Sequence, residues 1–313
     1  MAMSGFDRRQ VSHAFSRAAT QYDTGAALQR RIGEELLESI DYIEDPIFHP
    51  EPVEVILDLG SGTGAGSRWL QNHFPQATVL SLDLAIGMLR QAHPPAGMLQ
   101  SLRNRLRKTR EPLPILADAR ALPVADHSVD LIHSNLCLQW IEDLPAVLNG
   151  FRRVLKPGGM LLFSTFGPMT LHELRMSFAQ ADDDAPHVSP FADIQQWGDA
   201  LVAAGFRNPV LDRDLIIEKH PSFQALLRSL KTIGATNAMS ERRRSLTGKS
   251  RFARAAQAYA QWTDGVSDEL PASWEVIRAL AWAPPIDAPI RHAGMDEVRV
   301  PVSSLKVRRR DPE

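Results

Sequence analysis

Three clusters of residues in this 313-residue chain have types and spacing that could do chemistry. The first is LDLGSGTG at 57–64, which sets Asp58, Gly60, Gly62 and Gly64 at the end of a short apolar run. Glycines are needed where backbone must approach a ligand with no Cβ in the way, or take a positive φ. The second is Asp83, closing the next apolar run, TVLSL at 78–82. A carboxylate there can accept hydrogen bonds from both hydroxyls of a ribose. The third is Asp118 with Ala119, behind ILA at 115–117. Either acid alone reads as a solvated turn residue or a helix cap. Both at the ends of strands, in order behind a glycine loop, point to a ligand.

The elements that position these groups follow from hydrophobic patterning. VEVILDL (53–59) is a short apolar run ending in glycines, as expected of a buried parallel strand. A helix is expected around Trp69 and Leu70, then strands at 78–82, 115–117 and 128–135. Leu144, Val147, Leu148, Phe151, Val154 and Leu155 fit one helix face, KPGG (156–159) stops that helix, and MLLFSTF (160–166) is a fifth strand. The alternation predicts an α/β fold, a doubly wound Rossmann-like sheet.

Before the sheet, residues 12–40 carry apolar residues at helical spacing, and the three prolines of 45–52 mark a linker. Between Ala92 and Pro114 lies a proline-bounded basic stretch, read as a surface insertion with one short helix. Further on, helices are expected at 169–185, ending in an acidic turn, and at 191–206, closed by Gly205, with a strand at 209–218. Phe223, Leu226, Leu227, Leu230 and Ile233 form an apolar stripe, a second helix covers 250–262, and 273–283 returns as a late strand. The division is an N-terminal helical segment (1–52), a core (53–219), a helical lid insert (220–265), a return to the sheet (266–283) and a tail (284–313) with weak signs of structure.

The glycine loop by itself leaves NAD and S-adenosylmethionine open, since Gly60, Gly62, Gly64 and Gly66 also overlap in part with dehydrogenase spacing. The remaining motifs decide. Asp118-Ala119 and SNLCLQWIEDLPAVLNGFRRVLKPGG (134–159) resemble, with the loop and Asp83, the motif set of class I S-adenosylmethionine methyltransferases across about 53–166. In that resemblance Asp58, Gly60, Gly62, Asp83, Asp118, Ala119, Asn135 and Gln29 are cofactor-binding, and Asp118 meets the adenine amino group.

The flanking segments are similar to one family, the malonyl-acyl-carrier-protein O-methyltransferases of biotin synthesis (the BioC family). The resemblance rests on SHAFSRAATQYDTGAALQ (12–29), SNLCLQWIEDLP (134–145), TLHELRMSF (170–178), HVSPFADIQQW (187–197) and LLRSLKTIGATNA (226–238), and spans about 12–283. The last segment discriminates most, because it lies outside the shared sheet. The resemblance implies methyl ester formation on the free carboxylate of malonyl-acyl carrier protein. Tyr22 is then a positioning residue and, with Gln29, part of a lid over the cofactor. Lys231 and Arg228, on the basic insert, would meet the malonyl carboxylate and the acidic carrier protein. Related alternatives are a methyltransferase-fold assembly factor resembling an arginine hydroxylase, and a quinone-type C-methyltransferase. Both share the sheet motifs, and neither accounts for SLKTIGATN.

Composition sets outer bounds. Thirty-five Lys and Arg against 37 Asp and Glu leave no basic excess, so no nucleic-acid partner is expected. The lone Cys137 forbids an intrachain disulfide, lies in an apolar segment and suits a reducing cytoplasm. No apolar run reaches the roughly 20 residues of a membrane span. His133, His172, His187 and His220 lack metal-ligand spacing, and no metal is expected.

Overall fold

The computed structural model describes residues 5–44, 51–94, 110–181, 185–243, 248–263, 268–285, 290–292 and 295–297. Most of the linker at 45–52, most of the basic stretch at 92–114 and the three aspartates of the acidic turn lie outside the described residues. Three apolar runs become parallel neighbours at the centre of the sheet: β1 (Val55–Leu59), β2 (Thr78–Asp83) and β4 (Val129–Asn135). Ile56, Leu57, Leu59, Val79, Leu131 and Ile132 are all buried, as a strand covered on both faces requires.

Chain order gives the rest. α1 (Arg8–Gly25), α2 (Ala27–Leu37) and a last turn α3 (Asp41–Glu44) precede β1. α4 (Ala65–His73) joins β1 to β2, and α5 (Ile86–Ala92) precedes β3 (Leu113–Leu116). α6 (Leu144–Val154) links β4 to β5 (Leu155–Phe166). Then come α7 (His172–Ala181), α8 (Ile194–Ala203), β6 (Arg207–His220), α9 (Phe223–Thr232), α10 (Lys249–Tyr259) and β7 (Leu270–Trp282). The seven-stranded sheet runs β3-β2-β1-β4-β5-β7-β6, with β7 antiparallel to both its neighbours. Strand order reverses between β1 and β4, where open α/β sheets leave a crevice beyond the carboxyl ends of the strands.

Several expectations need correction. The helical stretch at 12–40 breaks at Ala26, whose backbone leaves the helical region. Gly25 there faces α9 so closely that a Cβ would sit 2.9 Å from Thr232 Cγ2. KPGG does not separate helix from strand. β5 already begins at Leu155, which pairs with Val129, and Gly158 takes φ +78° within the strand. The tail is structured in part, as an antiparallel pair β8 (Ile290–His292) and β9 (Met295–Glu297). Gly205 does close α8, at φ +84°, and Asp193 with Gln196 forms a capping box at its start.

The insert packs rather than hangs free. Phe223, Leu226 and Leu230 of α9 join one apolar cluster with Leu28 and Ile32 of α2, Phe178 of α7, Tyr259 of α10, and Trp274 and Val276 of β7. Burying a side chain such as Leu226 contributes about 1.5–3 kcal/mol, enough for the stripe to fix the helix against the sheet. No helix among the described residues is long and apolar enough to cross a membrane.

Candidate active site

The turn after β1 is built on backbone geometry. Gly60, Gly62 and Gly64 sit at φ +69°, +55° and +81°. Gly60 N–H and Ser61 N–H both donate to Leu82 O, at 2.8 and 3.0 Å, so the loop is laced to the neighbouring strand. Gly60 is doubly constrained: besides its positive φ, a Cβ there would lie 2.5 Å from Cys137 Cβ and Sγ. Loop and β4 end are thus in contact, with no room for a larger residue.

Asp83 receives two backbone donors on opposite oxygens, Gly62 N–H at 2.9 Å on Oδ2 and Ala85 N–H at 2.7 Å on Oδ1. Burial raises its pKa to about 6, against the lowering effect of those hydrogen bonds and with added repulsion from Asp58. Asp58 is buried, and both its oxygens are engaged: Ser67 Oγ donates to Oδ2, and His133 Nδ1 lies 2.8 Å from Oδ1. This pair stiffens the floor beneath the loop. Asp118 lies between two guanidinium groups, with Arg120 at 2.9 Å and Arg8 at 3.0 Å. Burial pushes its pKa up, but the hydrogen bonds from Arg120 and Arg8 outweigh it and hold the carboxyl below its usual range.

At the end of β4, Asn135 acts as a clamp. Its Nδ2 donates to Gln29 O at 2.9 Å, and its Oδ1 accepts from Ser164 Oγ at 2.7 Å. This ties α2 to the sheet at the crevice. Burial pushes the Cys137 thiol up to about 12, with Asp83 and Asp58 adding to the effect, so it stays protonated at neutral pH.

The roof comes from the N-terminal helix and the insert together. Phe6 and Phe15 meet the Trp140 ring edge to face, at 5.6 and 5.4 Å. Asp7 N–H donates to Ala238 O, and Ser240 N–H donates to Gly5 O. Arg242 pairs with Asp7, so one of the insert's cations clasps the start of α1. Thr63 Oγ1 donates to Asp23 Oδ1 at 2.7 Å, joining the far end of α1 to the glycine loop.

Three connected spaces lie under this roof. One runs from Gly60, Gly62 and Asp83 to Ala117, Asp118, Ala119 and Trp140. A second lies between α2 and the loop, edged by Asp23, Arg30, Glu34, Asp58 and Arg68. A third runs beneath the insert between Phe15, Phe166, Leu230, Thr236 and Trp274. Tyr22 borders all three, and Gln29 the second and third. Burial raises the Tyr22 pKa, with Asp83 and Asp23 adding to it, so its phenol is neutral.

Thus the structure gathers Tyr22, Gln29, Asp58, Gly60, Gly62, Asp83, Asp118, Ala119 and Asn135 around one crevice. It does not bring Lys231 or Arg228 there. Both are exposed on α9, and neither is among the residues that line the third space. The helix buries Phe223, Leu226 and Leu230, which turns its cations outward. Sequence reasoning missed Arg120, Arg8, Thr236 and Trp274. Arg8 and Trp274 lie far along the chain from the rest of the site; Arg120 reaches Asp118 from two residues away and Thr236 lies within 226–238, but nothing local marks either side chain as part of the site.

This strand order, with a glycine loop after β1 and acids after β2 and β3, is the class I methyltransferase fold. A methyltransferase-domain family model matches residues 57–163. The fold is similar to that of the YcgJ protein of Bacillus subtilis (14% identity, TM-score 0.51, 75% of this chain and 93% of that one). It is also similar to the [4+2]-cyclase SpnF (15% identity, TM-score 0.54, 91% of this chain and 100% of that one). A cyclase on this fold makes plain that the sheet alone does not fix the reaction.

Sequence similarity is narrower. The chain is 50% identical over 306 residues, 98% of both chains, to a malonyl-[acyl-carrier protein] O-methyltransferase of Xylella fastidiosa. It is 42% identical to one of Gallionella capsiferriformans, covering 89% of this chain and 91% of that one. The chain belongs to the malonyl-[acyl-carrier protein] O-methyltransferase family.

Proposed function

We propose that this chain transfers a methyl group from S-adenosylmethionine to the free carboxylate of malonyl-acyl carrier protein, an early step toward a pimeloyl chain and biotin. The observation that carries the reading is similarity along 98% of the chain to a relative named for this reaction, with the roof included and not the sheet alone.

The residues present suit the donor. The positive-φ glycines leave backbone open at the end of β1, and Asp83 stands where ribose hydroxyls would donate. The space beside α2 carries both signs of charge, Arg30 and Arg68 with Asp23 and Glu34, as a zwitterionic amino-acid end requires. Asp118 and the backbone of Ala119 flank the place for the adenine. Bound there, S-adenosylmethionine supplies an electrophilic methyl group on a sulfonium.

The nucleophile is a carboxylate already ionised at neutral pH, since carboxyl pKa values lie near 4. No general base is needed. The neutral phenol of Tyr22 and the protonated thiol of Cys137 agree with a site that moves no proton. What the chain contributes is alignment and exclusion of water. Tyr22, at the junction of the three spaces, positions the acceptor against the donor. Arg228, Lys231 and Lys249 are exposed cations of the insert, suited to docking an acidic carrier protein. Charge balance gives no reason to expect nucleic acid, and a cytoplasmic setting suits the single thiol.

The test is incubation of purified protein with methyl-labelled donor and malonyl-acyl carrier protein or malonyl-coenzyme A. Label is expected on the carrier-bound malonyl group, with coenzyme A the poorer acceptor. Label on neither, with activity on a quinone precursor or an arginine peptide, rejects the reading.

A further inference from the structure

Among its described lining residues the space beneath the insert has neither lysine nor arginine, and its imidazole, His187, stacks on Phe178 at 4.0 Å. An anionic substrate usually meets Lys or Arg. This space instead holds buried polar atoms with no hydrogen-bond partner in the described structure. Trp274 is 4% exposed, and its Nε1 has no acceptor. Thr236 Oγ1 is buried and equally unpartnered. Unsatisfied buried donors are uncommon, and each calls for an explanation. The Oε1 atoms of Gln29 and Gln139 are also without partners. As acceptors they do not suit an anion. His187, Ser189 and Asn237 also line the space, and of all its lining donors Trp274 Nε1 and Thr236 Oγ1 are the two that are buried without a partner among the described residues.

We propose that Trp274 and Thr236 are the donors that hold the substrate carboxylate, and that neither lysine nor arginine lines the site because the reaction destroys the charge. The inference rests on the methyl-transfer reading above. One carboxylate oxygen accepts from Trp274 Nε1–H and Thr236 Oγ–H, and the other faces the junction at Tyr22. As the new C–O bond forms, the C–S bond of the donor breaks and its electron pair stays on sulfur. One negative and one positive charge disappear together, with no proton released. A Lys or Arg clamped on the carboxylate would stabilise the starting anion more than the less charged transition state and slow the reaction. Neutral donors orient the group without that penalty. They also supply selectivity, because an acyl group lacking the carboxylate leaves both donors buried and unpaired.

The local structure supports placement of these two donors by rigid elements. Trp274 lies in β7, between strands β5 and β6, with its ring 5.1 Å from Phe166 at 39°. Thr236 follows α9 in a turn where its own N–H donates to Gly234 O at 2.8 Å. The segment containing Thr236 was singled out by sequence, and Trp274 on the returning strand was not.

The test compares binding of malonyl- and acetyl-carrier protein by calorimetry with S-adenosylhomocysteine present, alongside steady-state methylation. Trp274→Phe keeps the ring and removes the N–H; Thr236→Val keeps the shape and removes the hydroxyl. Each is expected to reduce the preference for malonyl over acetyl about tenfold, as loss of a hydrogen bond to a charged group does. Affinity for S-adenosylhomocysteine and Tm should hold. Unchanged preference in folded Thr236→Val and Trp274→Phe overturns the assignment; should Trp274→Phe fail to fold, Thr236→Val alone decides. A wild-type protein that methylates no malonyl thioester sinks the parent reading, an outcome distinct from active variants that keep their preference.

Discussion

The floor and the roof of the crevice are made in different ways. The floor is backbone: Leu82 O holds two loop amides, Asp83 holds two more, and Gly60 has no room for a side chain. The roof is side chains from distant segments: Phe6 and Phe15 on Trp140, Asp7 on Arg242, and the α9 stripe on α2 and β7. A floor of backbone hydrogen bonds tolerates few substitutions. A roof of side chains can be re-cut to fit an acceptor. The comparison teaches that donor use should be governed by the floor, and acceptor choice by the roof.

The largest effect that sharpens this contrast is expected at Gly60. Gly60→Ala adds the cost of a left-handed backbone, about 1–2 kcal/mol, to the collision with Cys137, and S-adenosylmethionine affinity should fall on the order of a hundredfold. Adding Cys137→Gly should recover part of the loss, as read by calorimetry. No recovery would place the constraint elsewhere.

Next comes Asp83. Asp83→Asn removes a charge-assisted acceptor, and donor affinity should drop roughly 10- to 100-fold. The same carboxyl should give wild-type binding a pH dependence. With its pKa near 6, the ionised form dominates at pH 7 and the protonated form at pH 5, so affinity weakens about tenfold over that interval. The sign for folding is opposite. A folded pKa above the ordinary 3.8 contributes stability below that value, and the contribution is lost as pH rises through about 6. Asp83→Asn should flatten both profiles; a wild-type binding curve that is level from pH 7 to 5 contradicts this role.

The smallest effect belongs to the outside of the roof. Arg228→Glu with Lys231→Glu reverses two exposed charges and should lower kcat/KM for the carrier-protein substrate about three- to tenfold at low salt. The deficit should shrink at high salt, and donor affinity should not change. Equal loss of donor binding would mean that the insert has come apart.

How far the sequence reached follows the same division. The glycine loop, Asp83 and Asp118 were legible because each is fixed by its own strand end. Gly205 closing α8 was legible for the same local reason. The break at Ala26 was not, because it depends on how closely α9 approaches Gly25. Nor was the start of β5 at Leu155, which its pairing with Val129 decides against the stop signal of KPGG. The resemblance assigns Lys231 to the substrate, and its position beside the apolar stripe of α9 does not show which way it points. Packing of that stripe turned it to solvent, and Trp274 and Thr236 came inward instead.

By itself the sequence determined the order of strands and helices, the loop that leaves backbone bare and the acids that follow each strand, because periodicity and glycine chemistry act over a few residues. Only the tertiary structure decided which side chains from residues 6 to 274 line the adjoining spaces of the crevice, and which cations stay outside them. Those contacts join segments far apart in the chain, and burial, rather than local preference, selects them.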